Sequence, residues 1–389
     1  MLLIQSIIVY SLFAYLLYRN AQLAINDYPL KGQYKNMYSL PKHYWTCIFI
    51  FCLISGIRWN VGADHLAYMW DYNQSIQGVA LERTSRSYET GYLFLTKVFS
   101  SMGLHYSIYF AALAFLEFFF IMLAVRNRRE IVPYMMVVMI LGTYYLSWMN
   151  GIRQMIAACA FVWGAQFIPQ KNWKMYLVFL IWAYLWHHSS LMLAPVFLLC
   201  LDKTVWDNKW LNFVILGICF TLGQTPTWIN IMSRFSGLLT FMGYEHYTNM
   251  MGELLDQSEF TSHGFGPRMI IVFISYLFII YYYPKTRKYF NDINLDVYFK
   301  LAFIGICGFY LFDSTGVEFR RPVQYFEIFT LPVLGYTLYY LKHHPTFTLQ
   351  YLILLTATSS FVFLQCYADF NSPVESRVAS LYQFFFYHQ

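Results

Sequence analysis

Arg58-Trp-Asn-Val-Gly62-Ala-Asp64-His-Leu-Ala-Tyr68 sets a guanidinium, a turn-forming glycine and a carboxylate in one short segment. Gly62 permits a tight turn, so Arg58 and Asp64 can face one small volume, the Arg holding a phosphate and the carboxylate acting as base. An interfacial Arg–Asp pair that caps a loop is the plainer alternative. A second set, Asn150-Gly-Ile-Arg153-Gln154, opens an apolar stretch. An unpaired Arg deep in the first turn of a spanning helix costs about 3 kcal/mol, and the helix N-terminus would add to anion binding there. Snorkelling to the interface accounts for the same residue. In His187-His188-Ser189-Ser190, adjacent His side chains cannot face the same way on a helix, so a metal pair is disfavoured. One imidazole, titrating near neutrality, can serve as a base; a His hydrogen-bonded between helices is the other reading. Glu318-Phe-Arg320-Arg321-Pro322, followed by Tyr325 and Glu327, places two cations where Pro322 suits a first helical turn. Glu327 can neutralise them. Ser87-Tyr-Glu89-Thr-Gly91-Tyr92 precedes Leu95, Phe99 and Met102, which with Tyr92 follow helical spacing. That pattern predicts an amphipathic helix lying on the outer membrane surface. Glu117, mid-way through an apolar run, reads as a structural carboxylate, neutral or paired.

The elements that must position these residues are membrane spans. Of 389 residues only 12% are charged, 58% are hydrophobic and 21% are aromatic, whereas a soluble chain is about 25% charged. Several soluble domains in series are therefore excluded. Seven scattered Cys with no CxxC pair argue against a disulfide framework or a zinc site. No P-loop, GxGxxG, GxSxG or HExxH is present, and Asp64-His65 and Glu245-His246 have no third ligand at metal-binding spacing. The net charge of +6 is what basic loops produce, without nucleic acid. The N-terminal stretch has no basic leader and no small-residue cleavage site, and reads as a retained first span.

Spans are predicted at about 2–18, 42–57, 106–125, 133–149, 152–168, 175–200, 210–225, 268–284, 297–312, 322–341 and 348–367. The fold class is thus all-α, polytopic, with about 10–11 membrane segments and external loops carrying short amphipathic helices. No linker divides the chain, so 1–389 reads as one domain. Basic loops 19–41, 126–132, 169–174, 285–296 and 342–347 are placed in the cytoplasm. The other side holds 58–105, the 149–153 turn, 226–267, 313–321 and the tail 368–389. The count is 13 basic residues against 10. Nine of those ten are Arg: Arg58, Arg83, Arg86, Arg153, Arg234, Arg268, Arg320, Arg321 and Arg377. A planar, permanently charged fork suits phosphate, although Arg also anchors helix ends at head groups. Two full spans over 175–225 would return the chain to the wrong side. Either 175–200 is a re-entrant hairpin with His187 to Ser190 at its tip, or it is one long tilted helix with the missing crossing inside 226–267.

Together these residues resemble the EpsG-like branch of Wzy-type bacterial polysaccharide polymerases. The resemblance is carried by Arg58 with Gly62, Asp64 and Tyr68; Glu89-Thr-Gly91-Tyr92; Ile152-Arg153-Gln154 with Ala157; His187-x-Ser189-Ser190-Leu191 with Pro195; and Arg321 with Tyr325-Phe326. They run in the family's order over residues 50–335. The resemblance implies a metal-independent glycosyltransferase in the bacterial cytoplasmic membrane, its site facing the periplasm or exterior. It would move a growing chain from undecaprenyl pyrophosphate onto a sugar hydroxyl of a new lipid-linked repeat unit. Expected roles are pyrophosphate binding by Arg58, Arg153 and Arg321, a base at Asp64 or His187, and sugar contact or positioning by Tyr68, Glu89, Gln154 and Tyr325. His188 can stand for His187, and Arg320 for Arg321. No cofactor and no nucleic acid is expected. The expected partners are the undecaprenyl-pyrophosphate-linked oligosaccharide, membrane lipid and a chain-length regulator. An O-antigen ligase would share chemistry and side but use another acceptor; a membrane acyltransferase would also place a His beside an external site. A lipid-linked sugar flippase would be expected to show repeat symmetry, which is not evident.

Overall fold

The computed structural model describes residues 1–27, 39–79, 89–199, 205–225, 266–312, 317–372 and 379–388, with isolated positions between 228 and 234. The described residues are helical almost throughout, and contacts resolve two compact units, Met1–Leu201 with Leu331–Gln389, and Asp202–Thr330. No change in composition marks that boundary, which is why the sequence reads as one domain.

Five helical stretches among the described residues are long and apolar enough to cross a membrane: Leu2–Asn26, Tyr106–Val125, Met269–Phe290, Ile293–Leu311 and Pro345–Phe370. Their outward faces are apolar too, as at Ile4, Ile8 and Leu12, all more than half exposed. Large apolar surface of this kind belongs against lipid. This is the all-α, polytopic membrane protein that the composition implies.

In the first unit, α1 (Leu2–Leu23) packs against α2 (Lys42–Gly56), with the Phe13 and Phe51 rings 5.9 Å apart and Cys47 Sγ 3.8 Å from the Leu17 carbonyl oxygen. A short strand, β1 (Arg58–Trp59), leads to α3 (His65–Ile76), then α4 (Thr90–Ser101) and the long α5 (Tyr106–Val125). The segment expected as one span at 133–149 is two helices, α6 (Val132–Leu141) and α7 (Tyr144–Trp148). Thr143 between them has φ of +69°, a left-handed residue that stops one helix and starts the next. Next, α8 (Ile152–Gly164) tightens into a 3₁₀ turn at Ala165–Phe167, and α9 (Trp173–Trp186) follows.

At His187 the chain reverses. The Tyr176 hydroxyl donates to the Leu193 carbonyl at 2.7 Å, and the Tyr176 and Phe197 rings lie 5.2 Å apart. The descending arm is a 3₁₀ stretch, His188–Leu193, and α10 (Val196–Leu199). The chain turns back at His187–Ser190 and does not run as one continuous helix over 175–200; the stretch 226–267, where the alternative puts a further crossing, lies mostly outside the described residues.

The second unit holds α11 (Lys209–Gly223), α12 (Pro267–Phe290), α13 (Ile293–Leu311) and α14 (Val317–Glu327). The loop expected at 285–296 is largely helical, because α12 runs through Pro284 to Phe290, with Arg287 and Lys288 in its last turn. Cations there favour the helix C-terminus, and Arg287 Nε also bonds Asp296 at 2.8 Å. The span expected at 322–341 is divided. Pro322 lies inside α14 rather than at a first turn, and a new helix, α15 (Thr330–Lys342), starts after a break at 328–329. The last expected span is α16 (Thr348–Ser359) and α17 (Phe361–Phe370), both in the first unit.

The C-terminal tail then returns to the first unit's loops. β2 (Gln383–Phe384) pairs antiparallel with β1, Phe384 opposite Arg58. Gly62 N–H donates to the Ala379 carbonyl at 2.9 Å, and Trp59 stacks on His388 at 4.8 Å. Asp369 accepts from Ala379 N–H, Ser380 N–H and the Ser380 hydroxyl at 2.7–3.1 Å, fixing the turn into the tail.

Candidate functional site

Loop 57–64 shapes one wall of the site. Gly62 has φ of +87°, and a Cβ there would lie 2.3 Å from the Met149 carbonyl oxygen. Only glycine allows both the left-handed turn and that approach. The contact lays the loop on the start of α8, where Asp64 Oδ2 accepts from Gly151 N–H at 3.1 Å. Asp64 therefore sits one turn of chain from Arg153.

Arg58 was expected to share a small volume with Asp64, and it turns inward instead. It is 1% exposed, its Nε donates to the Val61 carbonyl at 3.2 Å and its Nη1 to the Ser55 carbonyl. Its guanidinium lies 4.7 Å over the Phe110 ring and is electrostatically coupled to buried Glu117. The cause is the loop itself: a side chain that satisfies two carbonyls of its own turn and stacks on an aromatic face is held there. His65 stacks on the same ring at 4.8 Å. Burial, reinforced by the Arg58 charge, pushes its pKa down to about 2, so His65 is neutral.

Glu89 is the centre of the cluster. It precedes the first turn of α4 and is 5% exposed. Its Oε2 accepts from Arg153 Nη1, and its Oε1 lies 2.7 Å from His187 Nδ1. Burial acts to raise its pKa, but the His187 hydrogen bond and the Arg153 charge outweigh that and hold it at about 2. Three elements distant in sequence thus meet at one carboxylate. Gly91 makes the meeting possible: a Cβ there would stand 2.8 Å from the Leu185 carbonyl oxygen, so α4 packs directly on the backbone of α9 just below His187. His188, the alternative to His187, is exposed, its ring tilted against Tyr184 at 4.8 Å. The reversal at the hairpin tip turns the two imidazoles apart.

Tyr68 is 5% exposed and hydrogen-bonds Arg153; burial is the main cause of its raised pKa. Its ring packs edge-on to Tyr92 at 5.7 Å, and Arg153 also lies over the Tyr92 ring at 5.2 Å. The Tyr92 hydroxyl donates to buried Asp71 at 3.0 Å. Gln154, one residue beyond Arg153, is buried at 4% exposure. On α4 the buried stripe is Tyr92, Thr96 and Ser100, while Phe94 and Met102 are exposed. The helix therefore turns its polar stripe inward, not the Tyr92–Leu95–Phe99–Met102 face expected from spacing.

Asp71 and the tail were missed by the sequence reading. Asp71 had a signal: Asp64, Tyr68 and Asp71 fall at helical spacing on one face of α3. The tail had none, since a two-residue strand leaves no pattern. Arg321 and Tyr325 belong to the second unit, on α14. There Tyr325 is fully buried, and Arg320 lies 3.8 Å from Glu327 and 4.3 Å over the Phe309 ring. Glu327 thus sits beside Arg320 as a neutralising partner. Arg83, Arg86, Arg377 and Glu245-His246 lie outside the described residues, as do the side chains of Arg268 and Glu318. Among the described residues no group of three or more His, Cys, Asp or Glu is placed to hold a metal ion.

The arrangement supplies a guanidinium, a carboxylate on a helix-start amide, and an imidazole tied to a second carboxylate. That set can bind an anion and accept a proton within a few ångströms. Residues 42–383 match the EpsG family, and the chain belongs to it. Comparison with curated proteins and with solved structures returned no match.

Proposed function

As a member of the EpsG family, this membrane protein is one for which we propose the role of polysaccharide polymerase, a glycosyltransferase that joins lipid-linked oligosaccharide repeat units. The substrate is an oligosaccharide on undecaprenyl pyrophosphate, and the site faces the outside of a bacterial cytoplasmic membrane. A chain-length regulator is a proposed partner. The observation that carries this reading is the convergence of Asp64, Glu89, Arg153 and His187, from four separate elements, at one end of the first unit. Family membership fits polysaccharide synthesis, and the cluster fits the demands of the transfer.

In that transfer the acceptor hydroxyl gives its proton to a base, Asp64 or His187. Its oxygen forms a bond to the donor's anomeric carbon. The bond from that carbon to the pyrophosphate oxygen breaks, and the electron pair leaves with the pyrophosphate. The leaving group is already an anion, so cations rather than an acid are what it needs. Arg153 supplies that charge. A guanidinium has five N–H donors, so Glu89 orients the fork without exhausting it. Tyr68 steadies Arg153 from the other side, and Arg58 acts as the clamp of the loop that presents Asp64.

The experiment is polymerisation by purified protein given a defined lipid-linked repeat unit. Wild type should yield a ladder of chain lengths. Arg153→Ala should fall by about a hundredfold, as for loss of a charge contact made in the transition state. A wild-type preparation that leaves the repeat unit single, whatever unit is offered, would refute the reading.

A further inference from the structure

Glu89 offers one oxygen to each of two donors. An ionised carboxylate only accepts hydrogen bonds, so the proton between Glu89 Oε1 and His187 Nδ1 belongs to the imidazole. In a neutral ring, a proton on Nδ1 leaves Nε2 as a bare acceptor. Exposure points the same way: the His187 side chain is 25% exposed, and that of Glu89 is 6%. The carboxylate is enclosed while the far edge of the ring is open. Glu89 is held from behind as well, because its neighbour Gly91 lies on the α9 backbone two residues before His187.

Resting on the glycosyl-transfer reading above, we propose that Glu89 is a positioning residue. It fixes His187 as the Nδ1–H tautomer and so makes Nε2 the base that takes the acceptor hydroxyl's proton. The same carboxylate, through Oε2, sets the distance between that base and the Arg153 guanidinium. The hydroxyl proton moves to Nε2, the new C–O bond forms as the bond to pyrophosphate breaks, and the imidazolium that results is balanced by Glu89 until it returns its proton to water. This selects His187 over Asp64, whose carboxylate is engaged by the Gly151 amide, and gives Glu89 a role other than sugar contact.

Glu89→Gln is the informative change. The amide has one oxygen for two donors. Cationic Arg153 claims it, and the NH₂ group then faces His187 Nδ1. That selects the Nε2–H tautomer, which has no base on its open edge. Loss of the correct tautomer in an acid–His pair costs about 10⁴-fold in turnover. The readouts are ¹⁵N NMR of histidine-labelled protein in nanodiscs, the His187 signal being identified by its absence in His187→Asn, and kcat and KM on the lipid-linked repeat unit. Wild type should be Nδ1–H without substrate. Glu89→Gln should be Nε2–H, with kcat reduced at least a hundredfold and KM within a few-fold. Glu89→Asp, which keeps the carboxylate, should keep Nδ1–H and recover part of the rate. A wild-type His187 in the Nε2–H form would overturn the proposal, as would a Glu89→Gln protein whose tautomer flips while kcat holds. Should Glu89→Gln not fold, Glu89→Asp decides alone: a switch of its His187 to Nε2–H, or loss of activity entirely through KM, overturns it. An inactive wild type that is nonetheless Nδ1–H would fall on the glycosyl-transfer reading, and on the base role with it, but not on the pairing.

Discussion

The first unit carries an Arg, a carboxylate and a His at each of two places, with opposite uses. In one, Arg129 donates to the carbonyls of Ala24 and Asp27 at 3.2 and 2.7 Å, and Asp27 takes both the backbone N–H and the ring of His43. His43 is in the first turn of α2, so Asp27 acts as a cap on a helix start. Both of its oxygens serve one neighbour, and the Arg serves backbone. In the other, Glu89 divides its oxygens between side chains 64 and 98 residues away. The exposures are similar, 28% and 12% for His43 and Asp27 against 25% and 6% for His187 and Glu89. Residue types and burial therefore do not separate a clasp from a site. What separates them is whether the carboxylate ends a local turn or joins side chains from elements far apart in the chain.

The largest difference should come from the two arginines. Arg153→Ala is expected to cut polymerisation about a hundredfold or more at normal protein level, while Arg129→Ala leaves turnover per folded molecule unchanged. Arg153→Lys keeps the charge but loses the fork, and should also be poor. Equal losses at both positions, in the same assay, would erase the distinction.

Gly91→Ala comes next. Its Cβ must displace the α9 backbone, at about 1–3 kcal/mol, and should lower activity about tenfold by parting Glu89 from His187. A melting temperature and rate both equal to wild type would show that the close approach is unimportant.

At the clasp, Arg129→Ala should cost about 1–3 kcal/mol, because a buried and a half-buried carbonyl lose a charged donor. Urea or thermal unfolding in detergent measures it, and no loss would make this end no clasp.

A smaller effect is pH-dependent. The folded Glu89 carboxyl is held at about 2, below the ordinary value of about 4.3. Its pairing therefore stabilises the fold above about pH 4.3, and that stability is lost as pH falls toward 2. The melting temperatures of wild type and Glu89→Gln should differ most above pH 5 and converge as pH falls toward 2. His188→Ala should do least of all, since His188 is exposed and, among the described residues, lies beside the Tyr184 ring; a strong loss of activity there would point to His188 rather than His187 as the base.

Much of the membrane architecture was legible, because hydropathy accumulates over whole spans. The breaks were not. Thr143, Ser360 and the 328–329 turn lie inside stretches whose overall hydropathy reads as single spans, and Pro322 reads as a helix start although α14 begins five residues earlier. Counting crossings leaves a hairpin and a long tilted helix both open for 175–200, while Asp64, Glu89, Arg153 and His187, which the structure brings together, each stand in a motif legible in the sequence. The pairing between them was hidden, since it depends on Gly91 letting two helices touch across nearly a hundred residues of chain. Arg58 and Arg153 looked equivalent as external arginines next to a span. Only packing tells them apart, one turned onto its own loop carbonyls and the Phe110 ring, the other onto a carboxylate from another helix.

The most direct measurement is a side-by-side polymerisation assay of wild type, Arg153→Ala and Arg129→Ala, purified into nanodiscs and given one lipid-linked repeat unit, with chain length read on a gel. Wild type and Arg129→Ala should give a full ladder, the latter with a lower melting temperature, and folded Arg153→Ala should leave the repeat unit unextended. A full ladder from Arg153→Ala would contradict this.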